Sequence, residues 1–211
     1  MRRIFAVSQS HNASRYARCP VLSDIAKAPV NSRGLLPFSP VSLFLVWCAM
    51  VRIIDVPEDC IAGYHAAFDL VAKEKRFLAR LEAPPIDAFE ATVGENLRKG
   101  TPQVLAVDEE SVVGWCQVSR NSRATESHCG TLGMGVVPTH RGQGIGKMLL
   151  SECLKRAEKS GLERIELEVF SDNRAAIHLY ESFGFLREGE RVKGIKIEGR
   201  YLNIVLMAKF L

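Results

Sequence analysis

Six cysteines occur in the chain, yet none pairs at CxxC spacing and none is followed by paired histidines, so zinc-ribbon, zinc-finger and thioredoxin-like arrangements are excluded. No resident metal is expected. Long apolar runs are also missing: the most apolar stretch of the first fifty residues, 41–51, has about half the ~20 residues that a membrane-spanning helix needs. No membrane partner is expected from it. Acids are almost absent from residues 1–50, where six bases meet one acid (Asp24), whereas residues 51–211 hold 22 bases against 23 acids. The formal charge of +4 therefore belongs to the leader. The remainder is near neutral and lacks the basic footprint of a sequence-independent nucleic-acid binder, so no nucleic-acid partner is expected.

What is present has the balance of a folded globular protein, with 47% hydrophobic and 25% charged residues. Residues 1–50 carry seven serines, four prolines and no sustained period, and read as a poorly structured basic leader. Met50 is the expected physiological start, because Val51-Arg52-Ile53-Ile54-Asp55 opens a strand pattern directly after it; an organelle transit peptide is the alternative. The cysteine pattern is that of reduced thiols in a cytoplasmic protein, which is the location expected.

Residues 51–211 alternate between the two periodicities. Helices are expected at about 57–80, 86–99, 143–159 and from Ser171-Asp172-Asn173, a capping sequence, to Phe183-Gly184. Strands are expected after Met50 and at 103–107, 112–118, 127–137, 164–170, 185–192 and 202–210, with residues 196–199 turning the last pair into a hairpin. This is an α+β domain with a mixed sheet.

One segment carries a chemical signal. Val136-Val137-Pro138-Thr139-His140-Arg141-Gly142-Gln143-Gly144-Ile145-Gly146-Lys147 is a strand, a glycine-rich turn and a helix start. Glycines at 142, 144 and 146 let successive N–H groups converge at a helix N-terminus, where four donors lack intrahelical acceptors and the macrodipole favours negative charge. A pyrophosphate fits such a cradle, and Arg141 adds a cation beside it. The turn has neither GxxxxGK[ST] nor GxGxxG, so a P-loop and a Rossmann dinucleotide site lose support.

With the following strand and helix, Arg141-x-x-Gly144-x-Gly146, Leu167-Glu168-Val169, Asn173, Ala175-Ala176 and Leu179-Tyr180-Glu181-x-x-Gly184-Phe185 resemble the GNAT superfamily of acetyl-CoA-dependent N-acetyltransferases over about residues 51–211. The stretches around Phe77, Gly114-Trp115, Leu132 to Val136 and Gly199-Arg200-Tyr201-x-Asn203 are similar to its L-amino-acid and phosphinothricin-type branch. The resemblance implies a GNAT fold: a mixed central sheet, splayed between two parallel strands and flanked by about four helices. It implies acetyl-CoA as co-substrate, with pyrophosphate on the backbone of Arg141, Gly142, Gln143, Gly144, Ile145, Gly146 and Lys147. Pantetheine would lie along Met134, Gly135, Val136 and Val137 and against Asn173, which is also a natural helix N-cap. Transfer would be direct, the amine attacking the thioester in a ternary complex.

Roles follow for two more residues. Glu168 lies twelve residues before Tyr180, as in relatives resembling ribosomal-protein N-terminal acetyltransferases, and is the expected base through water, with Glu166 in reserve and solvent alone as the alternative. Tyr180 is the expected acid toward the departing thiolate, although a phenol near pKa 10 is a weaker acid than a thiol near 8.5, so hydrogen-bond stabilisation of the sulfur describes it better. Cys116 and Cys129 have no base at a defined spacing, which disfavours an acyl-enzyme. His128 and His140 flank the cofactor strand as structural residues, and Trp115 and Phe77 are candidate walls of the acceptor pocket. The expected acceptor is a small-molecule amine such as an amino acid; a protein or peptide N-terminus and a non-catalytic acyl-CoA-binding regulator are the alternatives. A homodimer is also considered.

Overall fold

The computed structural model describes residues 51–211, so the readings that concern residues 1–50 lie outside the described residues. The strand pattern that opens this region becomes β1 (Arg52–Ile54), and a short 3-10 turn at Glu58–Cys60 leads into α1 (Ile61–Ala72). Then follow α2 (Ile86–Arg98), β2 (Gln103–Asp108), β3 (Ser111–Arg120), β4 (Cys129–Val136), α3 (Ile145–Lys159), β5 (Arg164–Phe170), α4 (Arg174–Ser182), β6 (Leu186–Ile197) and β7 (Arg200–Phe210). All seven strands form one sheet in the order β1-β2-β3-β4-β5-β7-β6.

Every neighbouring pair is antiparallel except β4 and β5, which are parallel and joined by α3 as their crossover. The expected mixed sheet with four helices is therefore present. Strand β3 is covered on both sides, and its side chains alternate accordingly. Trp115 packs on Tyr64 and Phe68 of α1, with ring centroids 5.9 and 5.2 Å away, and Gln117 accepts the Tyr64 hydroxyl at 3.5 Å. Gly114, one residue from Trp115, faces Leu149 of α3 instead. An all-buried stretch from Val112 to Cys116 is the result.

Two elements differ from the sequence reading. The first helix stops at Ala72 instead of running to about residue 80, because Lys73-Glu74-Lys75-Arg76 offers no apolar face and Lys75 adopts a φ of 54°. Segment 73–85 turns back along α1, where the His65 ring holds Pro84 O at 2.8 Å and Ala83 N–H donates to Asp69 at 3.0 Å. The last hairpin also closes more tightly than expected. Its turn is only Glu198-Gly199, both at positive φ (49° and 84°), and β6 reaches Ile197 because pairing with β7 resumes at Ile195 after an irregular stretch that begins at Arg191.

Pairing between β4 and β5 is brief. Cys129, Gly130 and Thr131 match Arg164, Ile165 and Glu166, and there the ladder ends. Beyond that point β4 is paired only with β3, and β5 only with β7. The two parallel strands splay, and one backbone edge of Leu132–Val136 is left facing the gap.

Candidate functional site

The gap between β4 and β5 opens into a cavity of about 450 Å³ that continues past the glycine-rich turn at the start of α3. Val137 N–H is bonded to Val113 O at 2.9 Å, a short 3-10 turn spans Pro138–His140, and Gly142 and Gly144 take left-handed φ values of 75° and 81°. Gly144 is the N-cap of α3, and no side chain caps the helix. Met148 N–H is the first to find an acceptor, Gly144 O at 3.1 Å, while the N–H groups of Gln143, Gly144, Ile145, Gly146 and Lys147 have none among the described residues. Five adjacent donors at the positive end of a four-turn helix are left for a ligand with negative oxygens. Gly146 adds access: a Cβ there would sit 3.3 Å from Leu179 and 3.6 Å from Met134.

The structure distributes the expected cofactor residues unevenly. Met134, Gly135, Val136, Arg141, Gly142, Gly144, Ile145, Gly146, Lys147 and Asn173 line the cavity. Val137 does not; it is fully buried in the core, with its N–H spent on β3. Gln143 is also absent from the lining, and its side-chain amide turns back to Thr139 O at 3.2 Å. Asn173 caps α4 through Ala176 N–H at 3.2 Å and also lines the cavity, so the cap is observed and leaves the expected ligand contact compatible with it.

Arg141 departs most from the sequence reading. Its Nε donates to Val136 O at 2.8 Å, its two terminal nitrogens grip the Glu74 carboxylate, and its guanidinium lies 4.6 Å from the Phe77 ring centre. A side chain expected beside the phosphates instead fastens segment 73–85 to the cofactor turn. Phe77 and Leu78 of that segment line the cavity, so Arg141 shapes the wall across from β4. His140 is held similarly, with Nε2 3.0 Å from Asp108 and Nδ1 2.8 Å from Thr139 Oγ1.

At the other end of the cavity, Tyr180 of α4 is 7% exposed and packs on Phe185 at 5.7 Å, with no hydrogen bond from its hydroxyl among the described residues. Burial, with a smaller contribution from Cys116, pushes the phenol above its ordinary pKa. Complete proton donation to a thiolate becomes still less favourable, whereas a neutral hydroxyl with no committed partner keeps a hydrogen bond to offer. Glu168 lines the same cavity from β5 and ion-pairs with Arg191 of β6.

Glu166, the reserve base, is placed differently. It stands where β4 and β5 still pair, accepts from Asn121 Nδ2 at 3.0 Å, and is not in the cavity lining. Cys116 is fully buried, and burial together with contact from Cys153 raises its thiol pKa, so it has no nucleophile's environment. Cys129 is raised too, first by burial. Cys116, Cys129 and Cys153 are free. His128 contributes its carbonyl, which receives Glu163 and Arg164 N–H. Of the two aromatic candidates, Phe77 lines the cavity and Trp115 does not; Trp115 lies under β4, 2.3 Å from where a Gly135 Cβ would stand.

Sequence reasoning missed Glu74 and Arg191. Each meets its partner across 67 and 23 residues of chain, and nothing local distinguishes Glu74 from the other charges in Lys73-Glu74-Lys75-Arg76. Among the described residues no group of His, Cys, Asp and Glu is arranged to hold a metal, and no helix is long and apolar enough to cross a membrane.

Comparison with known proteins places this geometry. The model of the acetyltransferase (GNAT) family matches residues 59–185. The L-amino acid N-acetyltransferase AaaT of Escherichia coli is 31% identical over 113 residues, which cover 53% of this chain and 70% of that protein. An N-alpha-acetyltransferase of Mycobacterium tuberculosis is 38% identical over 89 residues, covering 42% of this chain and about half (54%) of its own length. The crystal structure of a phosphinothricin acetyltransferase of Sinorhizobium meliloti in complex with AcCoA superimposes with a TM-score of 0.72 at 21% identity, covering 76% of this chain and 88% of that one.

Proposed function

The chain belongs to the GNAT acetyltransferase family, and on that footing we propose that it acetylates the amine of a small molecule, a free amino acid. It is an acetyl-CoA-dependent N-acetyltransferase, and acetyl-CoA brings the acetyl group activated as a thioester. The observation that carries the proposal is the run of acceptor-less N–H groups at the start of α3, of which those of Gly144, Ile145, Gly146 and Lys147 belong to residues that line one cavity with Tyr180 and Glu168. Those amides suit the pyrophosphate. The free edge of Leu132–Val136 suits the pantetheine amides, which would add to β4 as a strand does. Asn173 lies beside that path.

Glu168 takes the proton that an ammonium must lose before its nitrogen can attack, directly or through a water. A peptide-type α-amine of pKa about 8 is roughly 10% neutral at pH 7, so for it this help is worth about 1.4 kcal/mol, against about 4.6 for a lysine amine; a free amino acid, whose own carboxylate holds the ammonium more firmly, falls between the two. Tyr180 donates a hydrogen bond to the sulfur as charge gathers on it. As the C–N bond forms and the C–S bond breaks, the sulfur keeps the electron pair and takes up the proton that the nitrogen gives up. We place the enzyme in the cytoplasm, where acetyl-CoA and free amino acids meet.

The test is CoA-thiol release with free amino acids, short peptides and a polyamine assayed side by side. Free amino acids are expected to be the best acceptors. A preference for peptides would move the assignment to an N-terminal acetyltransferase, the activity in the name of the mycobacterial relative, and tight acetyl-CoA binding without release would favour a regulator.

A further inference from the structure

We infer that Arg191 reads the α-carboxylate of the acceptor, so that the Glu168–Arg191 pair at the cavity is a receptor for a zwitterion. The inference rests on the proposed acetylation of a small amine. Arg191 stands opposite Ile204 at the irregular stretch of β6 and reaches across β7 to Glu168 on β5. Only one donor of its guanidinium is engaged among the described residues, the one to Glu168. Both side chains are about half exposed (50% and 55%), so the pair is screened by water and opens at little cost.

It has to open. A carboxylate bound to a guanidinium must exchange that partner for the substrate's amine before it can accept a proton. An α-amino acid makes the exchange self-compensating, because its ammonium and carboxylate sit on one carbon and match the adjoining negative and positive groups. The ammonium goes to Glu168, and the carboxylate takes the vacated fork of Arg191 in the bidentate geometry that arginine favours. Other amines lack one half of this. A peptide N-terminus carries a neutral amide where the carboxylate would be, and a polyamine brings a second cation toward Arg191. Of the other charges on the strand, Arg187 is held by Glu181 at 2.9 Å, Glu188 by Arg164 and Glu190 by Asn203 at 2.8 Å, which leaves Lys193 as the further cation near Arg191.

The experiment compares kcat/KM for the best free amino acid with that for its own carboxamide, in the unaltered protein and in Arg191→Gln. The carboxamide has the more readily deprotonated amine, so a preference for the acid cannot come from amine basicity. The acid is expected to be favoured at least tenfold by the unaltered protein, and the ratio to fall to about one in Arg191→Gln, with Arg191→Lys between them. Equal use of acid and carboxamide by the unaltered protein would overturn the inference while leaving small-amine acetylation standing, and needs no variant to fold. A ratio preserved in Arg191→Gln that still binds acetyl-CoA would overturn it as well. Acetylation of peptides alone would instead remove the underlying functional reading.

Discussion

Replacing Gly144 by alanine, with Gly161→Ala as its counterpart, separates the cradle's binding role from its contribution to stability. The two glycines flank the same helix, Gly144 as the N-cap of α3 and Gly161 just beyond its C-cap, at φ values of 81° and 75°. In both, a Cβ would meet nothing within 4 Å, so the cost is one of backbone conformation and not of collision. Alanine in the left-handed region costs about 1–2 kcal/mol, and the stiffer unfolded chain returns about 0.4–1, leaving a net loss of about 1 kcal/mol at either site. For a domain of this size that lowers the melting temperature by about 2–4 °C. Binding should not be affected equally. Gly144 aims the amides at the open end of α3, and a hydrogen bond to a charged group contributes about 1.5–3 kcal/mol, so losing the aim of one weakens acetyl-CoA binding about 10- to 150-fold. Thermal melts and calorimetric titration with acetyl-CoA measure both quantities in the two variants. Similar melting temperatures with weakened binding only in Gly144→Ala are expected; equal affinities in both would refute the assignment of these amides to the pyrophosphate.

Three further substitutions probe the other end of the cavity and its wall. Glu168→Gln should lower kcat/KM for an α-amine about 10- to 100-fold, with the deficit largest at low pH where the amine is charged; unchanged kinetics between about pH 6 and 9 would remove Glu168 from the reaction. Tyr180→Phe should keep acetyl-CoA affinity and slow turnover by about 10- to 100-fold, and equal turnover would leave the hydroxyl without a role. Glu74→Gln should raise the KM for the acceptor as much as Arg141→Gln does, with the double variant no worse than either, since the half-buried pair acts as one fastening of about 1 kcal/mol. If Arg141 instead held phosphate, only Arg141→Gln would weaken acetyl-CoA binding.

The parts of the site visible in the sequence are those that one short segment specifies by itself. Gly142, Gly144 and Gly146 mark a strand-to-helix turn because glycine is needed at positive φ and where Leu179 and Met134 approach, and that need is local. Asn173 announced α4 for the same reason, as a cap for a backbone N–H three residues away. The splay was legible only through family resemblance, since nothing in Leu132 to Val136 says that pairing with β5 ends at Thr131. Side-chain partners were least legible. Arg141 was expected to point at phosphate because it sits in the turn, yet its position is decided by Glu74 and Phe77, more than sixty residues earlier. The overlong first helix has a similar origin, because Phe77 extends the apolar pattern at near-helical spacing but is used as cavity wall.

Initial velocities of CoA release, with acetyl-CoA varied at several fixed concentrations of a free amino acid, test the central claim most directly. Direct attack in a ternary complex predicts double-reciprocal lines that intersect, and no loss of CoA before the acceptor is added. Parallel lines, with a burst of CoA from enzyme and acetyl-CoA alone, would contradict it and point to an acetylated side chain that the buried, high-pKa Cys116 and the arrangement of Glu168 and Tyr180 do not provide.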